Sequence, residues 1–336
     1  MGIGDLYARQ VMIAAMLGLV SIFSICIRLK HKKNLNYNKP KNSSLSHCPH
    51  IPTENIVEMS YSTPDKTYKF LVSLHPPALD HVISKGIKEG LYGPKHKYPS
   101  IDEMHSICSF HTAECESGKV FVEVGSATGV VSVYMASRGM DVYAYDPVLP
   151  NAERLSESRC LNSELMCGNS PDCITPFSPS KFHVLWNAVG SDDQVIINVE
   201  SEPYNLAATM RGGGSYQAQV NVVTIDDTVK EDSIEILLLT CQGSEYDALL
   251  GASEFLKSGK IRNIVWRRHS SRPEHDKSAA SIMKLLKYHG YEFFELDSAR
   301  SMKASPTRRS YEEMSDYVLK LHMKGRHPNI LASLLR

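Results

Sequence analysis

Apolar residues along this chain fall into short continuous runs separated by stretches of helical spacing, the pattern of strands buried on both faces and joined by crossover helices. The clearest stretch is residues 119–146, where an apolar run at 120–124 is followed by a glycine turn, a helical pattern to Arg138 and a second apolar run ending at Asp146. That order predicts strand, turn, helix, strand. Further runs at 182–189, 195–199, 220–225, 234–239, 261–266, 291–296 and 317–323 read as strands. Helical spacing at 78–88, 101–110, 151–160, 244–256 and 277–289 supplies the helices between them. The segment 190–193 before the run at 195–199 reads as a hairpin turn. The alternation predicts an α/β three-layer sandwich with a mostly parallel sheet, the final pair of strands giving scope for an antiparallel edge.

Ahead of this pattern, residues 11–27 form an uncharged run of 17 residues, at the short end of what spans a hydrocarbon core. Arg28, Lys30, Lys32 and Lys33 follow directly, which fits an uncleaved single-pass transmembrane anchor better than a signal peptide. The anchor places the protein in a Golgi or ER membrane. Its basic flank favours a cytosolic domain, whereas Asn42-Ser43-Ser44 is a glycosylation acceptor that only a luminal domain uses. The expected organisation is an N-terminal tail (1–10), the anchor (11–27), a Lys-, Asn-, Ser- and Pro-rich stem (28–64), a helical cover (65–115), the main domain (116–325) and a C-terminal tail (326–336).

The chemistry concentrates at the turns. Glu123-Val124-Gly125-Ser126-Ala127-Thr128-Gly129 has the spacing E-x-G-x-x-x-G, and Ala127 stands where a dinucleotide site places the glycine that makes room for a pyrophosphate. The turn suits a ligand with a ribose and no phosphates, with Asp146 at the second strand's end placed to accept ribose hydroxyls. The competing reading is a tight turn whose glycines serve packing. After the run at 234–239 come Thr240-Cys241-Gln242-Gly243 and Glu245, and the strand at 261–266 ends in Arg267-Arg268-His269. Met210 to Ser215, with three consecutive glycines, is either a linker or a lid.

Composition narrows the field. A chain of 336 residues with 42% hydrophobic content fills a large core, and the balance of 37 basic against 37 acidic residues gives no pointer to a nucleic-acid partner. The eight cysteines include no C-x-x-C pair, so no metal site is expected, while Cys160, Cys167 and Cys173 are close enough in sequence to hold a disulfide in an oxidising compartment. Oligomeric state is not legible.

The ordered set FVEVGSATG, AYDP, NAVGSDD, VVTIDD and LLLTCQGSEYDALLGA resembles the FkbM-type methyltransferases. The resemblance implies a class I Rossmann-like fold and S-adenosylmethionine as cofactor, held by Glu123, Gly125, Ser126, Gly129 and Asp146 with Asn187 and Ala188 near the adenine. It also implies O-methylation of a hydroxyl on a small molecule or glycan. The chain departs from the family's Lys-x-Asp-x-Glu-Gly-x-Glu pattern, reading Leu238, Thr240, Gln242, Gly243 and Glu245, and from its Glu-x-His, reading Arg267-Arg268-His269. The remaining candidates for a catalytic base are His269, Asp226 and Glu245, each with a structural alternative as a cap or strand-end residue. The alternative for the whole chain is a non-catalytic pseudo-methyltransferase that binds or scaffolds.

Overall fold

The computed structural model describes residues 53–62, 67–80, 83–89, 99–110, 115–163, 178, 181–191, 196–202, 205–210, 216–267, 273–296, 306–323 and 329–334. The anchor at 11–27, the stem up to residue 52, Cys167 and Cys173, residues 211–215 of the linker-or-lid stretch and His269 lie outside the described residues. Among the described residues no helix is long and apolar enough to cross a membrane.

In chain order the elements are β1 (Ile56–Ser62), β2 (Thr67–Ser73), α1 (Ile83–Lys88), α2 (Pro99–Phe110), β3 (Val120–Val124), α3 (Val130–Ser137), β4 (Asp141–Tyr145), α4 (Leu149–Leu161), β5 (Phe182–Leu185), β6 (Ala188–Val189), β7 (Ile196–Glu202), β8 (Asn205–Met210) and β9 (Tyr216–Val223). They continue with α5 (Ile225–Thr228), β10 (Ile234–Leu239), α6 (Glu245–Leu250), α7 (Ser253–Lys257), β11 (Ile261–Arg267), α8 (Pro273–Tyr288), β12 (Glu292–Leu296), β13 (Thr307–Arg309), α9 (Tyr311–Met323) and β14 (Asn329–Ser333).

The main sheet has eight strands in the order β13-β12-β14-β11-β10-β3-β4-β5. From β5 to β11 neighbouring strands are parallel, and β14 runs antiparallel between β11 and β12. This is the mostly parallel Rossmann-like sheet that the apolar runs predict. Side chains alternate across it: Phe121, Val142, Ile236 and Leu238 pack toward α3, α4 and the β1–β2 hairpin, whereas Val122, Val124, Leu237 and Leu239 pack toward α6, α7 and α8. All six residues of β10 are buried, as a strand covered on both faces requires.

Several expectations give way. The last strand expected at 317–323 is part of a helix, because Ser310 and Glu313 form a reciprocal capping box and Met314 and Val318 repeat at helical spacing on the buried face. The antiparallel strand comes from residues 329–333, expected as tail; Ile330, Leu331 and Ala332 are buried in the sheet interior. Residues 56–62, assigned to the stem, pair with 67–73 in an antiparallel hairpin whose Tyr61, Phe70 and Val72 enter the core. The helix expected over 244–256 breaks after Leu250, where Gly251 packs against the Gly190 carbonyl too closely to admit a Cβ.

The run at 182–189 is divided between two sheets. Trp186 turns out of the main sheet, its Nε1 donating to the Pro147 carbonyl at 3.0 Å, and β6 then pairs in parallel with β9. β7 pairs with β8 and β9, so the hairpin expected between 182–189 and 195–199 is replaced by a four-stranded sheet in the order β6-β9-β7-β8. Val199 and Val220 of this small sheet pack with Trp186 on Val148, which places it against the carboxyl end of β4.

Candidate functional site

Connections from β3 lead to β4 on one side and those from β10 to β11 on the other, so the strand order reverses between β3 and β10. The carboxyl ends of these two adjacent strands form the topological switch point, where open α/β sheets bind ligands. Two turns meet there, residues 125–129 after β3 and residues 240–245 after β10.

The first turn is wound tightly. Gly125 and Ser126 both donate their N–H to the Tyr145 carbonyl, at 2.9 and 3.0 Å, and Gly129 N–H donates to the Ser126 carbonyl at 2.7 Å. Gly125, Ala127 and Gly129 have φ of 88°, 49° and 73°, so three of five residues lie in the left-handed region. Neither glycine leaves empty space. A Cβ on Gly125 would stand 2.8 Å from the Thr240 carbonyl oxygen, and one on Gly129 would collide with Leu155 of α4. The packing role set against ligand approach therefore accounts for both glycines' missing side chains.

Asp146 is 3% exposed and is engaged at both oxygens. Its Oδ2 accepts from Ala127 N–H at 2.7 Å; its Oδ1 accepts from Val148 N–H at 2.9 Å and from Asn151 Nδ2 at 3.1 Å. The carboxylate thus ties the glycine turn to the start of α4. Burial pushes its pKa up to about 7, with these three hydrogen bonds opposing the rise.

Glu123 lies on β3 beside Leu238 of β10 and Ala144 of β4. It is buried and accepts a hydrogen bond from Ser132 Oγ of α3. Leu238 stands where the FkbM pattern has lysine, so an apolar neighbour replaces a cation next to this carboxylate. Asn187 and Ala188 follow the end of β5, whose Leu185 carbonyl accepts from Asp146 N–H at 3.1 Å. The structure therefore places Glu123, Gly125, Ser126, Gly129, Asp146, Asn187 and Ala188 along the carboxyl rim of β3, β4 and β5.

Among the acid–base candidates, Asp226 lies elsewhere. Its Oδ2 accepts from Glu254 N–H at 2.9 Å and its Oδ1 from Phe255 N–H at 3.2 Å, so it caps the start of α7. Glu245 sits at the switch point. One oxygen, Oε2, accepts from Gly243 N–H at 2.8 Å, while Oε1 is buried with no partner among the described residues. Burial raises its pKa. Ser126 Oγ, in the opposite turn, is likewise buried and unpartnered among the described residues. Thr240 Oγ1 is spent on the fold, donating to the Gly125 carbonyl at 2.8 Å.

Sequence reading missed the strain in the second turn, where Gln242 takes φ 50° ahead of Gly243 at 103°. It also missed His75, which is 2% exposed and hydrogen-bonded to Asn151 on the far side of Asp146. No motif marks that residue, because Asn151, the partner of its ring, lies 76 positions away.

Residues 116–293 match the family described as the methyltransferase FkbM domain, more than half of the chain. No protein of curated function is similar to the chain. Among solved structures it has a distant likeness to a precorrin-6y C5,15-methyltransferase from Geobacter metallireducens, with 9% identity, a TM-score of 0.35 and coverage of 71% of this chain and 86% of the other. A precorrin 8w decarboxylase from Methanobacterium thermoautotrophicum matches with 16% identity, a TM-score of 0.32 and coverage of 71% and 96%. Similarity at that level carries no weight beside the sequence match. The ordered motifs, the sheet that presents them and the family match over residues 116–293 agree, and the chain belongs to the FkbM methyltransferase family.

Proposed function

We propose that this methyltransferase uses S-adenosylmethionine to methylate a hydroxyl of a small molecule or glycan. The observation that carries the proposal is the pair of buried, uncommitted polar atoms on the two turns of the switch point, Ser126 Oγ and Glu245 Oε1. A buried polar atom without a partner costs about 1 to 3 kcal/mol, and a ligand that pairs with it recovers that cost. The group also fits by charge: the rim offers carboxylates and a hydroxyl, which suit a ribose diol and a cationic sulfonium and ammonium, and Ala127 stands where a pyrophosphate site places glycine.

When bound, the cofactor supplies a methyl group made electrophilic by the sulfonium. The chain's own residues do the rest. Asp146, with one lone pair of Oδ2 remaining beyond the Ala127 bond, and Ser126 would hold the ribose and tail, with Glu123 below the turn fixed by its bond from Ser132. Glu245 is the group suited to take the acceptor's hydroxyl proton. Oε2 is fixed by Gly243 while Oε1 is available, and its raised pKa brings it toward the range in which a carboxylate both accepts and releases a proton. His269, two residues beyond β11 in sequence, remains a candidate for the same task.

Residues 11–27 would anchor the protein in a Golgi or ER membrane, with the domain on the luminal side. Supporting that side are the Cys108–Cys115 disulfide and the participation of Cys160 in a further one, since disulfides persist in oxidising compartments. The Asn42 acceptor agrees with it, against the basic flank.

A non-catalytic reading is favoured by one observation, that both oxygens of Asp146 already accept from protein donors, which leaves a single lone pair on Oδ2 for any ligand. Incubation of the full chain with radiolabelled S-adenosylmethionine and a panel of hydroxyl acceptors separates the two. Label transfer abolished by Glu245→Gln supports the enzyme; cofactor binding without transfer to any acceptor supports the scaffold. Endoglycosidase treatment of membranes tests the luminal placement, which fails if Asn42 is never glycosylated and added protease digests the domain in sealed vesicles.

A further inference from the structure

The segment joining β2 to α1 reaches the switch point through a chain of buried polar contacts that precedes the family-matched region. His75 Nε2 lies 2.8 Å from Asn151 Oδ1, and Asn151 Nδ2 donates to Asp146 Oδ1 at 3.1 Å. Because the Asn151 amide points its nitrogen at a carboxylate, its oxygen must face the imidazole, and Nε2 must carry the proton. Asn151 is fully buried and His75 nearly so, which makes rotation of either group costly. The backbone at this histidine is itself held: the His75 main-chain N–H donates to Ser84 Oγ at 3.1 Å, and Ser84 Oγ donates to Asp80 Oδ2 at 2.7 Å. Asp80 and Arg154 are the charged groups whose fields reach His75, and burial favours its neutral form.

We infer that His75 is a positioning residue for cofactor binding, fixing through Asn151 the plane of the Asp146 carboxylate so that Oδ2 faces the glycine turn and the ligand. The geometry leaves this task to few groups. Val148 N–H and Ala127 N–H each hold one oxygen of the carboxylate, and the third bond, from Asn151 to Oδ1, is the side-chain contact that braces the plane they define. The segment following the β1–β2 hairpin is then part of the binding site, although the FkbM match begins only at residue 116. This inference rests on the S-adenosylmethionine reading and adds the residue that orients its ribose contact.

The test is calorimetric titration of the full chain with S-adenosylhomocysteine and with its 2′,3′-dideoxy analogue. In wild type the diol ligand binds more tightly. His75→Leu, which keeps volume and removes the donor, lowers affinity for the diol ligand about tenfold, the worth of one buried hydrogen bond, and leaves the dideoxy analogue nearly unchanged. His75→Gln, whose amide nitrogen reaches the Nε2 position, restores the preference. If His75→Leu does not fold, Asn151→Ser makes the same comparison. Equal loss for both ligands, or no rescue by glutamine, overturns the positioning role while leaving the cofactor reading intact. Absence of binding by wild type overturns both.

Discussion

The two turns at the switch point were built from similar materials and are used differently. The turn at 125–129 is the recognisable motif, yet its glycines are committed inward: Gly125 against the Thr240 carbonyl and Gly129 against Leu155. The strand and turn at 238–245 depart from the family pattern at Leu238, Thr240 and Gln242, yet they hold a buried carboxylate oxygen, Glu245 Oε1, without a partner among the described residues. Conspicuous glycines here are mainly architecture, and the uncommitted chemistry sits on polar residues beside them, Ser126 and Glu245. The lesson is that a glycine motif locates a site without supplying the groups that act there.

The largest effect that separates the turns is on turnover. Glu245→Gln retains an acceptor for Gly243 N–H and removes the base, so methyl transfer falls about 10²- to 10⁴-fold with cofactor affinity little changed. Single-turnover kinetics check this, and an unaltered rate would shift the base to His269. Gly125→Val then probes architecture. Its Cβ meets backbone at Thr240 and φ is 88°, so the variant loses about 3 kcal/mol in denaturant unfolding, before any question of binding arises. A stable variant that merely fails to bind would break the distinction between the turns.

Asp146→Ala comes next, weakening cofactor affinity by about 2 kcal/mol through loss of a charge-assisted hydrogen bond. The smallest change is the sharpest in sign. Ser126→Ala removes a buried hydroxyl with no partner among the described residues, so the free protein keeps or gains stability while the complex loses about 1 kcal/mol. Thermal melts with and without cofactor read both, and a destabilised free protein would mean that the Ser126 hydroxyl serves the fold.

Much of this molecule is readable from its sequence because parallel strands buried on both faces write continuous apolar runs; β3, β4, β10 and β11 are all marked that way. Elements governed by distant partners are not. The strand at 329–333 is short and becomes interior only because β11 and β12 leave a gap for it. Helix α9 was hidden by its apolar second half, although Ser310 and Glu313 announce its start. The division at Trp186 depends on a bond to Pro147, 39 residues earlier. At the site, residue types and positions along the rim were legible, whereas their commitments were not: that Asp226 caps α7, that Thr240 serves the turn and that Glu245 retains an open oxygen follow only from packing.

The central claim is that the rim binds S-adenosylmethionine through buried acceptors, chief among them Asp146, whose carboxyl burial holds well above the usual carboxylate range. Titration calorimetry of the full chain in buffers of different ionisation enthalpy tests it most directly. Burial places Asp146 near a pKa of about 7, and ribose donors favour its ionised form, so binding lowers that pKa, releases protons near neutral pH and tightens as pH rises through this range. The account predicts saturable binding with a buffer-dependent heat that disappears in Asp146→Ala. A folded protein that gives no binding heat in any buffer would contradict it.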